Sequence, residues 1–368
     1  MFQPDQLPET WGPPGRIHQT LSQAAWSPAE AADAEHAVRR GLDELAQFFD
    51  AHPDIAATLD TDTVESLIDP AYAAGNMPEL RAEARAAATK ALNSVAAPYL
   101  AGEPATASCD DAERLLKFSA FAQQLGPSTS RTAKMAAFTN SALRACGSLA
   151  GAMGYDYHQK LNAAPVTNDD LWGMVMWSIE FTDAQAVPGL NLPAGAAALP
   201  SELWRFLSHY PLTGARAYPD GARNQTFRQT AYLVTHLAYI PTGYGRYSIY
   251  LDDAPYLYRF LRENFYPVLE MGELDLTAEF VDLFRQYGCT EKNDLQVRDG
   301  TRYLLKLFHS AHDTWMDYRE PDEPAAISDY DRIHKPWTGI SGVRARVPEP
   351  AAPGTYGSVV RAWMGAPH

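Results

Sequence analysis

Apolar residues recur at helical spacing through most of the chain, with polar residues filling the opposite faces. The pattern predicts long amphipathic helices over 29–50, 78–100 and 131–155, and further helices over 168–184, 200–210, 225–240, 254–270, 273–288 and 293–310. No segment alternates apolar and polar residues as a half-buried strand would, so the predicted class is all-α. Asn168 and Asn293 stand where N-caps belong, and Gly288 follows the last turn of another helix. Proline and glycine concentrate in 186–200, 211–223 and 347–357. Helices of the same kind flank the first two stretches, so these read as loops inside one helical body and not as domain linkers. The expected organisation is a single domain over 1–346 with an irregular N-terminal arm at 1–27, followed by an irregular tail at 347–368. Helices of this number and length, joined by turns and Pro-rich loops, suit pairs arranged as a ring or solenoid of the α/α-toroid kind.

Composition narrows the functional classes. The chain has 368 residues, 46% of them hydrophobic, enough for a large core. Its formal net charge of -15 argues against a nucleic-acid or anionic-membrane surface, because both need clustered Lys and Arg. A small-molecule substrate fits better, and a homo-oligomer stays open. The N-terminal stretch has no basic region followed by an apolar run, and nowhere do about 18 apolar residues stand together, so a soluble, cytoplasmic protein is expected. The Ala-rich helices and the preference for Arg over Lys suggest high-GC, actinobacterial-type coding. Cys109, Cys146 and Cys289 are odd in number and widely spaced, which predicts buried free thiols.

Three places could carry chemistry. In 230-TAYLVTHLAYIPTGYGRY-247, helical spacing puts Tyr232, His236, Tyr239 and Ile240 on one side, and a Gly-rich turn with Tyr244 and Arg246 follows. That turn is too short, and lacks the Lys, for a phosphate loop. Glu180 ends 171-LWGMVMWSIE-180, where Trp172, Met176 and Trp177 surround a carboxylate with apolar groups. Unpaired there, it would have a raised pKa suited to acid–base work. In 329-DYDRIHKPWTGISG-342, Tyr330, His334, Trp337 and Ile340 share a face. His309, His312 and Asp313 form a looser group whose spacing is weak for a metal and whose place at a helix end favours partly charged histidines anyway. The residues singled out as catalytic are Glu180, His236 and His334. Trp177, Tyr232, Tyr239, Tyr244, Arg246 and Trp337 are expected to bind substrate.

The T-H-x-x-Y of the first stretch and the Y-D-R-x-H-x-x-W-T-x-I-x-G at 330–342 resemble the later parts of a bacterial group of functionally unassigned helical-ring proteins. These in turn look like relatives of the α/α-toroid cyclase and prenyltransferase fold. The resemblance covers roughly 170–345, and 304-LLKLFHSAHDTW-315 resembles a degenerate copy of that fold's aromatic repeat. It implies a central cavity lined by inner helices. Two departures limit it: there is no D-x-D-D acid motif, with Asp110-Asp111 and Asp252-Asp253 in surface-like settings, and no recognisable zinc-binding Asp, Cys and His set, although Cys289 and Asp294 lie close together. Polyprenyl chemistry is therefore not expected. The expected function is that of a biosynthetic enzyme of bacterial specialised metabolism, using acid–base chemistry without a cofactor in an aromatic-lined cavity for a cyclisation, isomerisation or elimination. Two other readings stay open: a non-haem iron or other divalent-metal enzyme with His236, His334 and Glu180 as ligands, and a non-catalytic ligand-binding or assembly protein.

Overall fold

The computed structural model describes residues 24–73, 77–126, 129–163, 165–317 and 327–345. Among them are sixteen α-helices and no strand, so the chain is all-α. In chain order the helices are α1 (Pro28–Ala51), α2 (Pro53–Leu59), α3 (Thr61–Ala73), α4 (Pro78–Val95), α5 (Ala97–Ala101), α6 (Ala112–Gln124), α7 (Thr129–Cys146) and α8 (Leu149–Met153). They continue with α9 (Tyr157–Asn162), α10 (Asn168–Ala184), α11 (Leu199–Leu207), α12 (Gln225–Thr242), α13 (Pro255–Leu269), α14 (Leu274–Gln286), α15 (Leu295–Ser310) and α16 (Asp329–Val343).

Local chemistry sets several boundaries one residue away from their expected places. Thr167, not Asn168, caps α10: its hydroxyl accepts from the Asp170 backbone N–H, while the Asp170 carboxylate accepts from Thr167 in return. Asp294, not Asn293, caps α15, and Asn293 instead closes the preceding turn by accepting from the Thr290 N–H. The helix expected over 78–100 divides at Ala96, where Pro98 begins a new short helix. The one expected over 131–155 stops at Cys146, because Gly147 takes a left-handed φ of 74° and Ser148 caps α8. Helices α2, α3, α6, α9 and α16 lie outside the predicted helix ranges. Of the expected N-terminal arm, 1–23 lies outside the described residues, as does the tail 347–368; Ser27 caps α1.

Six helices close a ring. Helix α3 touches α6, α6 touches α10, α10 touches α12, α12 touches α14, α14 touches α16, and α16 returns to α3. Outside them, α4 packs on α3, α7 on α6, α11 on α10, and α13 and α15 on α14, with α1 across α16 and α3. Helix α14 is therefore covered on its outer side and faces the ring axis on its inner side, which is why every one of its residues is buried. Glycine allows the closest approaches. A Cβ on Gly342 would stand 2.9 Å from the Ala278 Cα on α14, and one on Gly339 would meet the Trp315 ring at 2.4 Å. Trp315 is buried between Gly339 and Gly41 of α1, whose own Cβ would meet the indole nitrogen at 2.7 Å.

The cysteines differ from expectation. Cys109 and Cys146 form a disulfide across 37 residues of sequence, and only Cys289 is a free thiol. The antiparallel pairing of α6 and α7 brings the turn before α6 against the last residue of α7, with the two Cα atoms 4.8 Å apart. Such bonds persist in oxidising surroundings, so this one gives no support to a cytoplasmic location. No helix among the described residues is long and apolar enough to cross a membrane.

Because the contact of α14 with α16 is backbone-close, Gly342→Ala is expected to lose about 1–3 kcal/mol of stability, the usual cost of overpacking. Urea unfolding followed by circular dichroism measures this loss. An unchanged midpoint would mean that the ring widens there without strain.

Candidate functional site

The inner helices turn carboxylates toward the ring axis. On α14, Asp275, Glu279 and Asp282 stand at i, i+4 and i+7; on α3, Asp62, Glu65 and Asp69 stand at i, i+3 and i+7. Both rows line a cavity on the axis that has two parts. An open outer part of about 610 Å³ is walled by α10, α12, α14 and α16. An inner chamber of about 140 Å³ takes side chains from all six ring helices, with Lys117 from α6 and Trp172 and Met176 from α10. Trp172, His236, Glu279, Tyr330 and His334 border both parts and form the neck between them.

At the neck, the two histidines each have an aromatic ring on one side and a carboxylate on the other. His236 packs against Trp172, ring centroids 4.5 Å apart, and His334 stacks on Tyr330 at 4.7 Å. These two aromatics are 36% and 45% exposed, unusually open for their size, and they flank the entrance. His236 Nδ1 lies 3.0 Å from the Tyr232 carbonyl oxygen, which can only accept, so Nδ1 carries the proton and Nε2 keeps its lone pair. Burial pushes the His236 pKa down to about 4, against the opposing effect of the Tyr232 carbonyl, and the ring is neutral at pH 7. Thr235 donates to Glu279 Oε2 at 2.6 Å, and His236 Nδ1 lies 3.9 Å from the same oxygen. His334 Nδ1 lies 3.3 Å from Asp275 Oδ1, while the Tyr232 hydroxyl donates to Asp275 Oδ2 at 2.9 Å. Tyr232 thus couples the two sets, holding His236 with its carbonyl and Asp275 with its hydroxyl.

Deeper in, too many carboxylates meet too few cations. Lys117 lies 3.4 Å from Glu65 and 3.5 Å from Glu180. Burial alone would lower its pKa, but Glu65 and Glu180 raise it, so it stays an ammonium. One ammonium cannot neutralise both acids. Burial pushes Glu180 up to about 8, so Glu180 is the partner that holds a proton near neutrality. Burial and the Glu65 charge also lift Asp69 well above the ordinary range, and burial with the neighbouring Asp275 does the same to Glu279. At the floor, Arg344 donates to Asp282 Oδ1 at 3.1 Å and to the Asp69 carbonyl oxygen at 3.2 Å, and Trp337 Nε1 donates to Asp69 Oδ2 at 3.0 Å. Arg344 and Asp282 are both buried, and removing one partner of such a pair costs about 3–5 kcal/mol.

The sequence-predicted residues divide. His236, His334, Tyr232, Tyr239, Tyr244 and Trp337 line the cavity, with Tyr244 stacked on Tyr239 at 5.0 Å. Glu180, Trp177 and Arg246 do not. Glu180 reaches the chamber only through Lys117, Trp177 stacks on Phe181 in the core at 5.2 Å, and the Arg246 guanidinium lies over the Tyr247 ring. His309 is tied at the surface to Asp33 and Asp313 at 2.9 and 2.7 Å. Among the described residues, no group of three or more His, Cys, Asp or Glu side chains is placed to hold a metal ion. Sequence reasoning missed Asp275, Glu279, Asp62, Glu65 and Lys117. The acids recur at helical spacing, but that spacing is equally the mark of a solvated face, and nothing local marks Lys117.

Comparisons of the chain with protein-family models, with curated proteins and with solved structures find no match.

The buried groups make stability depend on pH in two windows. Glu180, raised from 4.5 to about 8, contributes stability that is full below pH 4.5 and is lost as pH rises through 8. His236, lowered from 6.5 to about 4, contributes stability that is full above pH 6.5 and is lost as pH falls through 4. Between 4.5 and 6.5 His236 opposes Glu180, but the raised carboxylates of Glu44, Asp62 and Asp183 add to the loss. Stability is therefore expected to decline with rising pH and to go on declining above pH 6.5, where His236 no longer opposes it. Scanning calorimetry should find Tm lower at pH 8 than at pH 6 by about 2 °C or more, the shift that roughly 1 kcal/mol produces in a large domain. In Glu180→Gln that alkaline fall should shrink; an unchanged slope would assign it to other groups.

Proposed function

We propose that the chain is an enzyme that performs acid–base chemistry on a small molecule bound on the ring axis, with His236 as base and His334 as its acid partner. The observation that carries this reading is the pair of histidine–carboxylate sets facing one another at the neck of a single cavity. His236 is neutral with a free Nε2, as a base must be. His334 has Asp275 Oδ1 3.3 Å from its Nδ1, a carboxylate placed to orient the ring while its other edge passes a proton. Proton removal at one edge of a substrate and delivery at another is the chemistry of an isomerisation, an elimination or a proton-initiated cyclisation. Trp172, Tyr330 and Trp337 would hold the substrate's apolar surface, and Tyr232 would keep the two sets in register. Glu180 takes a positioning role in this reading, through Lys117. A place in a biosynthetic pathway rests on the resemblance of 230–247 and 330–342 to helical-ring proteins.

The metal-enzyme alternative loses its carboxylate ligand, since Glu180 lines neither part of the cavity.

Incubation of a small-molecule extract from the source cells with the protein, followed by mass spectrometry, tests the proposal. The wild type should deplete at least one species, giving a product of equal mass or one that has lost water or ammonia. His236→Ala and His334→Ala should each slow that conversion by about 100-fold or more, the range of general acid–base contributions. Equal depletion by wild type and both variants would overturn the assignment.

A further inference from the structure

We propose that the inner chamber receives the protonated primary amine of the substrate, so that the cavity is selective for alkylammonium compounds over their neutral isosteres. This rests on the reading of the axial cavity as a substrate site.

The first support is an imbalance between hydrogen-bond acceptors and donors. Glu65 has Lys117, Asp69 has Trp337, and Asp282 has Arg344. Glu279 has no cation of its own. Thr235 serves one of its oxygens, and its charged neighbours along α14 are Asp275 and Asp282, of the same sign. The Tyr239 hydroxyl is on a side chain 7% exposed that lines the chamber, and no other described residue shares a hydrogen bond with it. Buried polar atoms are ordinarily satisfied, so this set calls for a donor-rich group. An ammonium brings three donors and a positive charge, and it takes the place of the proton that burial and Asp275 otherwise keep on Glu279.

The second support is the wall of the chamber. Trp172, Tyr330 and Trp337 all line the same space, and aromatic rings attract cations over their faces. Size agrees as well. A chamber of about 140 Å³ admits an aminoalkyl head of a few heavy atoms but not a whole ring-bearing metabolite, whose remainder would occupy the outer part of about 610 Å³. The net charge of -15 also favours the approach of a cation.

Binding of 1,4-diaminobutane, compared with the neutral isostere 1,4-butanediol, tests the proposal through tryptophan fluorescence and titration calorimetry on the full chain. The diamine should saturate the protein with a Kd of about 1 mM or tighter, and the diol should not bind at the same concentrations. Glu279→Gln should weaken diamine binding about tenfold or more, as loss of a buried charge partner does. If that variant does not fold, Trp172→Ala, at an open position, should show the same loss by calorimetry. No saturable binding of the diamine to the wild type, equal binding of the diol, or unchanged affinity in a folded variant would each overturn the proposal. The readout needs no turnover. Failure of amine binding therefore leaves the histidine result of the activity test standing, and failure of that test leaves amine binding intact.

Discussion

Buried carboxylates of like sign, brought together by a closed ring of helices, are the constraint on which the rest of this molecule depends. A helix in an ordinary bundle turns its apolar face inward and its charges to water. Here the outer helices take the apolar faces, and α3 and α14 point their acids at one another across the axis. Isolated charges in such a place are costly, and each acid has a separate solution. Arg344 at the floor holds Asp282, Lys117 on one wall serves two acids at once, Trp337 gives Asp69 a hydrogen bond, and protons fill the remaining deficit. The cavity exists because these solutions use side chains that reach inward without filling the space.

The compensation has a gradient along the axis. It is most complete at the floor, where a buried guanidinium meets a buried carboxylate, and least complete at the neck, where Asp275 Oδ1 is left without a hydrogen bond. Reactive groups belong at the incomplete end. Two histidines stand there between exposed aromatics and under-served acids, so a proton or a cation entering the neck changes the local balance more than it would anywhere below.

How much of this was legible in the sequence follows from what a one-dimensional pattern records. The helical class and the extents of α1, α10 and α14 were readable, because an apolar stripe at a period of 3.6 is a local property. His236 and His334 stood out because an imidazole on an apolar face is unusual, and the cavity contains both. The acids of α14 did not stand out: 274-LDLTAEFVDLFRQ-286 looks like any amphipathic helix, and a sequence does not distinguish a polar face turned to water from one turned to an enclosed lumen. Glu180 appeared to be an acid without a partner because its partner, Lys117, sits on a helix that had not been recognised. The pairing of Cys109 with Cys146 was hidden for the same reason, since only the α6–α7 hairpin brings the two together.

Closure of the ring by α16 against α3 and α1 also sets the order in which the protein can be assembled. The contact joins residues more than 250 positions apart, so no partial chain emerging during synthesis has an axis to enclose. Until 329–343 arrives, the acid rows of α3 and α14 would lie along an open arc bathed in water, where their charges are inexpensive. Late closure thus lets the carboxylates stay hydrated for most of folding and confines the cost of burying them to a single final docking step.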